Sequence, residues 1–287
     1  MTKQYPYTWE QAIELLRRDP QHEQLIRDSY LSADLLENCR RFEASEEFAE
    51  ILKLIRAYMP QAHRVLDLPA GNGIASYAFA KSGYEVAAVE PDPSESLGRG
   101  AIAFIMQQEG LKNICPVEAY GEELPFADEE FDVAYVRQGL HHARDLKLMV
   151  SELARVLRPG GLLIASREPV VDDYEAGLQK FLDEQPDHQL YGGENAFKHE
   201  DYLRALRHRS LALISDLGPY DSVINLHPNS FDKLEQELVN SRSGRILNTV
   251  LPRAFVYRLA LMALRRITRE QGRLHTFVAR KLNRKKN

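Results

Sequence analysis

In the run RVLDLPAGNG, Asp67 ends a short β-branched and leucine stretch, and Pro69, Ala70, Gly71, Asn72 and Gly73 then lead into the helix-like stretch Ile74–Ala80. A carboxylate fixed at a strand end beside a glycine turn suits a nucleotide-like ligand. Glycine permits torsions and close approach that a Cβ would block, and the following helix start offers unpaired N–H donors. A second acid, Glu90, ends the strand-like run Tyr84–Glu90, about twenty residues past the turn, where a carboxylate can accept both hydroxyls of a ribose. A dinucleotide site would use the same acid. The turn reads D-x-x-x-G-x-G, however, without the third glycine of G-x-G-x-x-G, and no lysine follows it as a P-loop requires.

The elements that must position these acids read as alternating strands and helices. Further strands are predicted at Asn113–Ala119, Phe131–Arg137 and Gly161–Glu168, with helices at Pro93–Glu109 and Asp145–Leu157. That alternation implies an α/β fold with a doubly wound, mostly parallel sheet. At 287 residues the chain has room for one such core and additions. Residues 1–60 form an N-terminal helical cap with a capping box at Thr8–Gln11 and an apolar stripe of Phe42, Phe48, Ile51, Leu52 and Ile55. The core takes 61–215 and 273–282, with an insertion at 169–209. There Gly192–Gly193 marks a turn, and a helix near His199–His208 leads to a sixth strand at Leu211–Leu217. Residues 216–272 are too many for a hairpin loop and read as a helical lid or substrate subdomain before a last strand at Leu274–Lys281.

Composition narrows the class. Cys39 and Cys115 lack a C-x-x-C partner, which argues against a disulfide framework or zinc site and for ordinary buried small residues. The first twenty residues include Glu10, Glu14, Arg17, Arg18 and Asp19, so no signal-peptide h-region is expected and a cytoplasmic location is. The net charge of −5 hides an asymmetry: residues 251–287 hold eleven Lys or Arg against one acid, Glu270, a net of +10 that leaves −15 for residues 1–250. An acidic body of this kind argues against nucleic acid as substrate.

VLDLPAGNG, VAAVEPD, GEELPFADEEFDVAYVRQGLHH and ELARVLRPGGLLIASRE, in this order between Arg64 and Glu168, resemble the class I S-adenosylmethionine-dependent methyltransferases of the small-molecule branch. The resemblance implies a Rossmann-like seven-stranded sheet with an antiparallel last strand, and S-adenosylmethionine as cofactor. By that resemblance Asp67, Ala70, Gly71, Asn72 and Gly73 line the methionine and ribose side, Glu90 binds the ribose diol and Pro91 flanks the adenine. Arg137 and Gln138 approach the methionine moiety. Pro69 stands where the family has its first glycine, fixing φ and removing a donor. Tyr120 stands where the family places an acid for the adenine amino group, which leaves the Gly121 backbone, Glu118 or Glu122 to read that base. Tyr30 and Arg41 are the cap residues expected either to face the site or to pack.

A sulfonium methyl is already electrophilic, so the enzyme mainly aligns an acceptor and excludes water. For a hydroxyl acceptor, a neutral imidazole close to working pH assists; His142, then His141, are the candidates, and Glu168 at the end of the fifth strand is the rival. Each has a purely packing or hydrogen-bonding alternative. A metal held by His141, Glu168 and Asp172 lacks compact ligand spacing, and no metal is expected. YLSADLLENCRRFEASEEF with the later GGENAF is similar to enzymes acting on sugars in surface-glycan or secondary-metabolite pathways, so the expected partner is a small-molecule acceptor, sugar or glycan-linked. A non-catalytic cofactor-binding member and a nicotinamide oxidoreductase are the alternatives. Finally, Phe255–Gln271 can form a helix with Val256, Ala260, Ala263, Leu264 and Ile267 on an apolar face. Arg258, Arg265, Arg266, Arg269 and Arg273 gather opposite it, extended by Arg284–Lys286. That pattern is read as a packed lid, or as peripheral membrane contact through 255–273 presenting a lipid-linked acceptor.

Overall fold

The computed structural model describes residues 5–207 and 210–283. Parallel pairing builds the sheet centre: β1 (Arg64–Asp67) lies between β2 (Glu85–Val89) and β4 (Phe131–Arg137), and β3 (Ile114–Val117) closes the far edge. On the other side come β5 (Leu157–Val171), β8 (Arg273–Lys281) and β7 (Leu211–Leu217), giving the order β3-β2-β1-β4-β5-β8-β7; β8 runs antiparallel to both neighbours. The two-residue β6 (Phe197–Lys198) pairs with the end of β5 as an eighth strand that the residue pattern had not announced. The fifth strand is also longer than expected, because Leu157 already pairs with Phe131.

Helices cover both faces, so the central strands are buried on both sides and read as apolar runs, whereas the edge strands β3 and β7 are only partly buried. Against one face lie α3 (Leu35–Glu43), α4 (Glu46–Tyr58), α5 (Ile74–Lys81) and α6 (Arg99–Glu109), contributing Phe42, Phe48, Ile51, Phe79 and Ile102 to one core. Against the other lie α7 (Leu146–Val156) and α10 (His199–Leu206), with Met149, Leu153, Tyr202 and Leu206. The helix expected from Pro93 starts only at Arg99: Asp92 Oδ1 accepts from Ser94 N in a turn, and the Gly98 backbone packs on Asp92 too closely for a Cβ. Asp145 caps α7 by accepting from Lys147 N and Leu148 N.

Outside the core, α1 (Trp9–Arg18) and α2 (Glu23–Asp28) begin the chain, and α1 carries the expected Thr8–Gln11 capping box. Residues 169–209 add α8 (Ala176–Asp183) and α9 (Pro186–Tyr191). Between β7 and β8 stand a 3-10 turn (Val223–Asn225), α11 (Phe231–Asn240), α12 (Arg242–Leu247) and α13 (Arg253–Ile267). Cys39 is buried, whereas Cys115 is exposed on the edge strand β3, against the expectation of a buried residue. His208, Arg209 and Arg284–Lys286 lie outside the described residues.

Candidate functional site

A cavity of about 580 Å³ opens at the carboxyl ends of β1, β2 and β4, where open α/β sheets bind ligands. Asp67, Pro69, Ala70, Gly71, Asn72, Glu90, Pro91, Tyr120, Arg137, Gln138, His141 and His142 all line it, drawn together from 76 residues of chain as the spacing required. Gly73 and Gly121 do not. Gly73 (φ +85°) is the left-handed cap of α5 and packs on Ile102 and Ile105, while Gly121 sits on Met149.

At the cofactor-like end, Glu90 is held by two backbone donors: Gly71 N to Oε2 at 2.8 Å and Asp92 N to Oε1 at 2.9 Å. Burial pushes its pKa up, against the pull of those two hydrogen bonds. Asp67 accepts from Ser76 Oγ at 2.6 Å through Oδ2, but its Oδ1 is buried with no partner. Burial raises this carboxyl to about 7 although the Ser76 bond opposes the shift. A fully buried acid with one orphaned oxygen facing a cavity fits a ligand that brings a donor or a positive charge. Gly71 (φ +51°) leaves open space where a Cβ would stand. These residues therefore fit the amino-acid and ribose parts of S-adenosylmethionine.

The adenine end has fewer fixed contacts. Tyr120 is exposed and carries the Arg144 guanidinium 4.9 Å from its ring centroid. Of the substitutes for the missing acid, Glu122 lines the cavity and accepts from Arg144 N and Asp145 N. Glu118 is instead exposed and paired with Arg99.

The acid–base residues separate into distinct environments. Glu168 is completely buried and accepts from Gly139 N, Leu140 N, His141 N and His141 Nδ1 at 2.9–3.1 Å, so it anchors the 3-10 turn Leu140–His142 and does not line the cavity. His141 meets Glu194 through Nε2 at 3.5 Å. Burial alone would lower its pKa; the hydrogen bonds to Glu168 and Glu194 overcome this and hold it up at about 9, an imidazolium. His142, beside it with ring centroids 4.0 Å apart, is driven down to about 4 by loss of solvation around its ring and by the His141 charge, below the working-pH range expected of it as a base. Its Nδ1 faces the Gly193 carbonyl at 3.2 Å, which places the proton there and leaves Nε2 with a free lone pair. The structure does not bring Asp172 to this group: Asp172 pairs with Arg273 and Gln271.

The helical cap was expected to offer Tyr30 or Arg41 to the site or to the packing, but other residues form the cavity roof. Trp9, Ile13 and Leu16 of α1, Leu25 and Ile26 of α2, and Asp187, Tyr191 and Glu194 from the insertion all line it, and Trp9 meets Tyr191 with ring centroids 4.8 Å apart. Tyr30 is fully buried, stacked on His227 under the Arg41 and Arg137 guanidiniums, and reaches the site only through its carbonyl, which accepts from Asn72 Nδ2. Arg137 forms a bidentate pair with buried Glu47. No residue of 216–272 lines the cavity; the Val223–Asn225 turn packs instead on α4, β5 and β8.

Residues 66–165 match the family described as methyltransferase domain. An uncharacterized methyltransferase of Bacillus subtilis (strain 168), YcgJ, is 32% identical over 157 residues, which are 53% of this chain and 60% of that protein. The chain thus spans less than two thirds of that relative's length. Among solved structures, geranyl diphosphate methyltransferase in complex with SAM superposes with a TM-score of 0.56 at 13% identity, covering 92% of this chain and 91% of that one. The [4+2]-cyclase SpnF superposes with a TM-score of 0.54 at 18% identity, covering 82% and 81%. These likenesses concern the fold, and SpnF illustrates that one fold hosts different reactions.

Proposed function

We propose, from the premise that residues 66–165 are a class I S-adenosylmethionine-dependent methyltransferase domain, that the whole chain transfers a methyl group to a hydroxyl of a neutral small molecule, a sugar or secondary metabolite. One observation carries this reading: a single cavity joins Glu90 and Asp67 to the free Nε2 side of a neutral His142. Glu90 accepts the ribose hydroxyls, Asp67 receives the methionine amino group, and Pro69, Ala70, Gly71, Asn72, Pro91, Arg137 and Gln138 wall the cofactor. Bound S-adenosylmethionine supplies the electrophilic methyl carbon. His142 takes the hydroxyl proton at Nε2 as the oxygen attacks, and the roof of α1, α2 and Tyr191 keeps water out. His141 and Glu168 hold the His142 turn in place and are positioning residues.

Charge selects the acceptor. Six acids line the cavity, Asp67, Glu90, Asp92, Glu122, Asp187 and Glu194, against Arg137, Arg144 and the His141 imidazolium; Arg137 is taken by Glu47, and His141 by Glu168 and Glu194. A diphosphate acceptor, such as the geranyl diphosphate for which the structural neighbour is named, would meet repulsion here; a polyol would find acceptors in Asp187 and Glu194. Labelled S-adenosylmethionine offered with matched neutral and phosphorylated polyols should deliver label to the neutral ones. His142→Gln should cut turnover by roughly 10²–10⁴-fold with cofactor binding retained. Label transfer only to phosphorylated or amine acceptors, or a His142→Gln variant at full rate, overturns this assignment.

A second reading rests on α13, where Phe255, Leu259 and Met262 form an exposed apolar stripe and Ile246, Leu247 and Val250 lie exposed just before it. Arg258, Arg266 and Arg269 are exposed nearby. On this reading the acceptor is lipid-linked and the helix rests on the anionic bilayer that presents it. No helix of the described residues is long and apolar enough to cross a membrane.

A further inference from the structure

His199, Asp216 and His275 converge from three elements: the first residue of α10, the penultimate residue of β7 and the third of β8. Asp216 Oδ2 lies 2.7 Å from His199 Nε2 and Oδ1 lies 3.0 Å from His275 Nδ1; the three ligand atoms all fall within 4.8 Å of one another. The register explains how the trio forms. Asp216 pairs with Phe277 across β7–β8, so His275, two residues earlier on β8, emerges on the same face, and His199 closes over it from the helix. Phe277, completely buried, floors both imidazoles, with ring centroids 5.8 Å from His199 and 5.9 Å from His275. The side chains remain partly open to solvent, at 33%, 26% and 14% exposure for His199, Asp216 and His275, so an ion and a water ligand can reach them.

We propose that His199, Asp216 and His275 bind a borderline divalent cation such as Zn²⁺, with water completing the coordination, at a site separate from the cofactor cavity. Two imidazoles and one carboxylate select zinc, cobalt or nickel over magnesium and calcium, which require oxygen ligands. To ligate, each imidazole presents the lone pair of the nitrogen now facing Asp216 and carries its proton on the other ring nitrogen. The ion ties α10 to the antiparallel edge of the sheet. His275 is the register partner of Glu168, so the tie stiffens the strand pair that anchors the His141–His142 turn. His141, His142 and Glu194 form the other trio of metal-capable residues among those described, inside the cavity, and it serves as the internal control.

The test is a Co²⁺ titration of the chelator-treated protein followed by visible d–d absorption, with Zn²⁺ competing the signal away. One ion per chain is expected in the wild type. Asp216→Asn and His275→Gln should each lose at least about tenfold in affinity, and His142→Gln none. Binding of S-adenosylhomocysteine to the same variants, read by fluorescence of the sole tryptophan, Trp9, verifies that they are folded. Failure of the wild type to bind Co²⁺, or loss of binding in His142→Gln but not in Asp216→Asn or His275→Gln, overturns the proposal. Neither result bears on methyl transfer.

Discussion

His141 and His142 are sequence neighbours with opposite protonation, because Glu168 and Glu194 charge the first, while loss of solvation and that charge keep the second neutral. The pairing makes stability depend on pH. The folded His141 binds a proton up to about pH 9, against about 6.5 for histidine in the unfolded chain. Its contribution is therefore complete below pH 6.5 and is lost as pH rises through 9. Urea unfolding at pH 6 and pH 9.5 should show wild type exceeding His141→Gln by clearly more at pH 6; an equal gap at both values contradicts the charge assignment. The imidazoles themselves were legible as an LHH step after a strand, but their division of labour was not. It depends on Glu194, which sits in the polar run YGGENAF and follows no motif spacing.

At the scale of elements, the strands were the most legible features. Phe131–Arg137 falls where its apolar pattern puts it, because a strand covered on both faces needs uninterrupted apolar character, and the edge strand Leu211–Leu217 keeps its expected bounds although only Leu211 is buried. The residues that line the roof were hidden for a related reason. Trp9, Ile13 and Leu16 lie on one face of α1 and form the same kind of stripe as core packing, so nothing in the pattern tells a cavity from a core. Two loops that carry the site also depend on one contact invisible to spacing. Gly139 packs so tightly on Pro69 Cδ and Val136 Cγ1 that an added Cβ has no room, which makes the Pro69 departure and the glycine before LHH a matched pair. Gly139→Ala should cost about 1–3 kcal/mol in urea unfolding and weaken S-adenosylhomocysteine binding; unchanged values for both would mean the loops are not mutually seated.

Across the whole molecule, charge and exposure are unevenly distributed. The cofactor cavity is rich in acids, while the segment from α12 to the last strand carries most of the local positive charge and the exposed Phe255, Leu259 and Met262. Val256 is the one fully buried member of the apolar face expected on α13, and Ile267 is exposed, so the outward stripe is not used up in packing. If the acceptor is bilayer-borne, the protein should sediment with anionic vesicles at low salt and be released at high salt, and Arg266→Glu with Arg269→Glu should abolish the effect. Absence of salt-sensitive sedimentation would contradict the bilayer-borne reading of the acceptor.

On the proposed function, one cavity, with Glu90 on the ribose, holds S-adenosylmethionine and its demethylated product. Titration calorimetry with S-adenosylhomocysteine tests it most directly. Wild type should bind one molecule per chain, and Glu90→Ala, which leaves the diol without its charged acceptor, should lose about 1.5–3 kcal/mol, roughly 10- to 150-fold in affinity. No binding to the wild type, or equal affinity in the variant, would contradict a cofactor seat at Glu90.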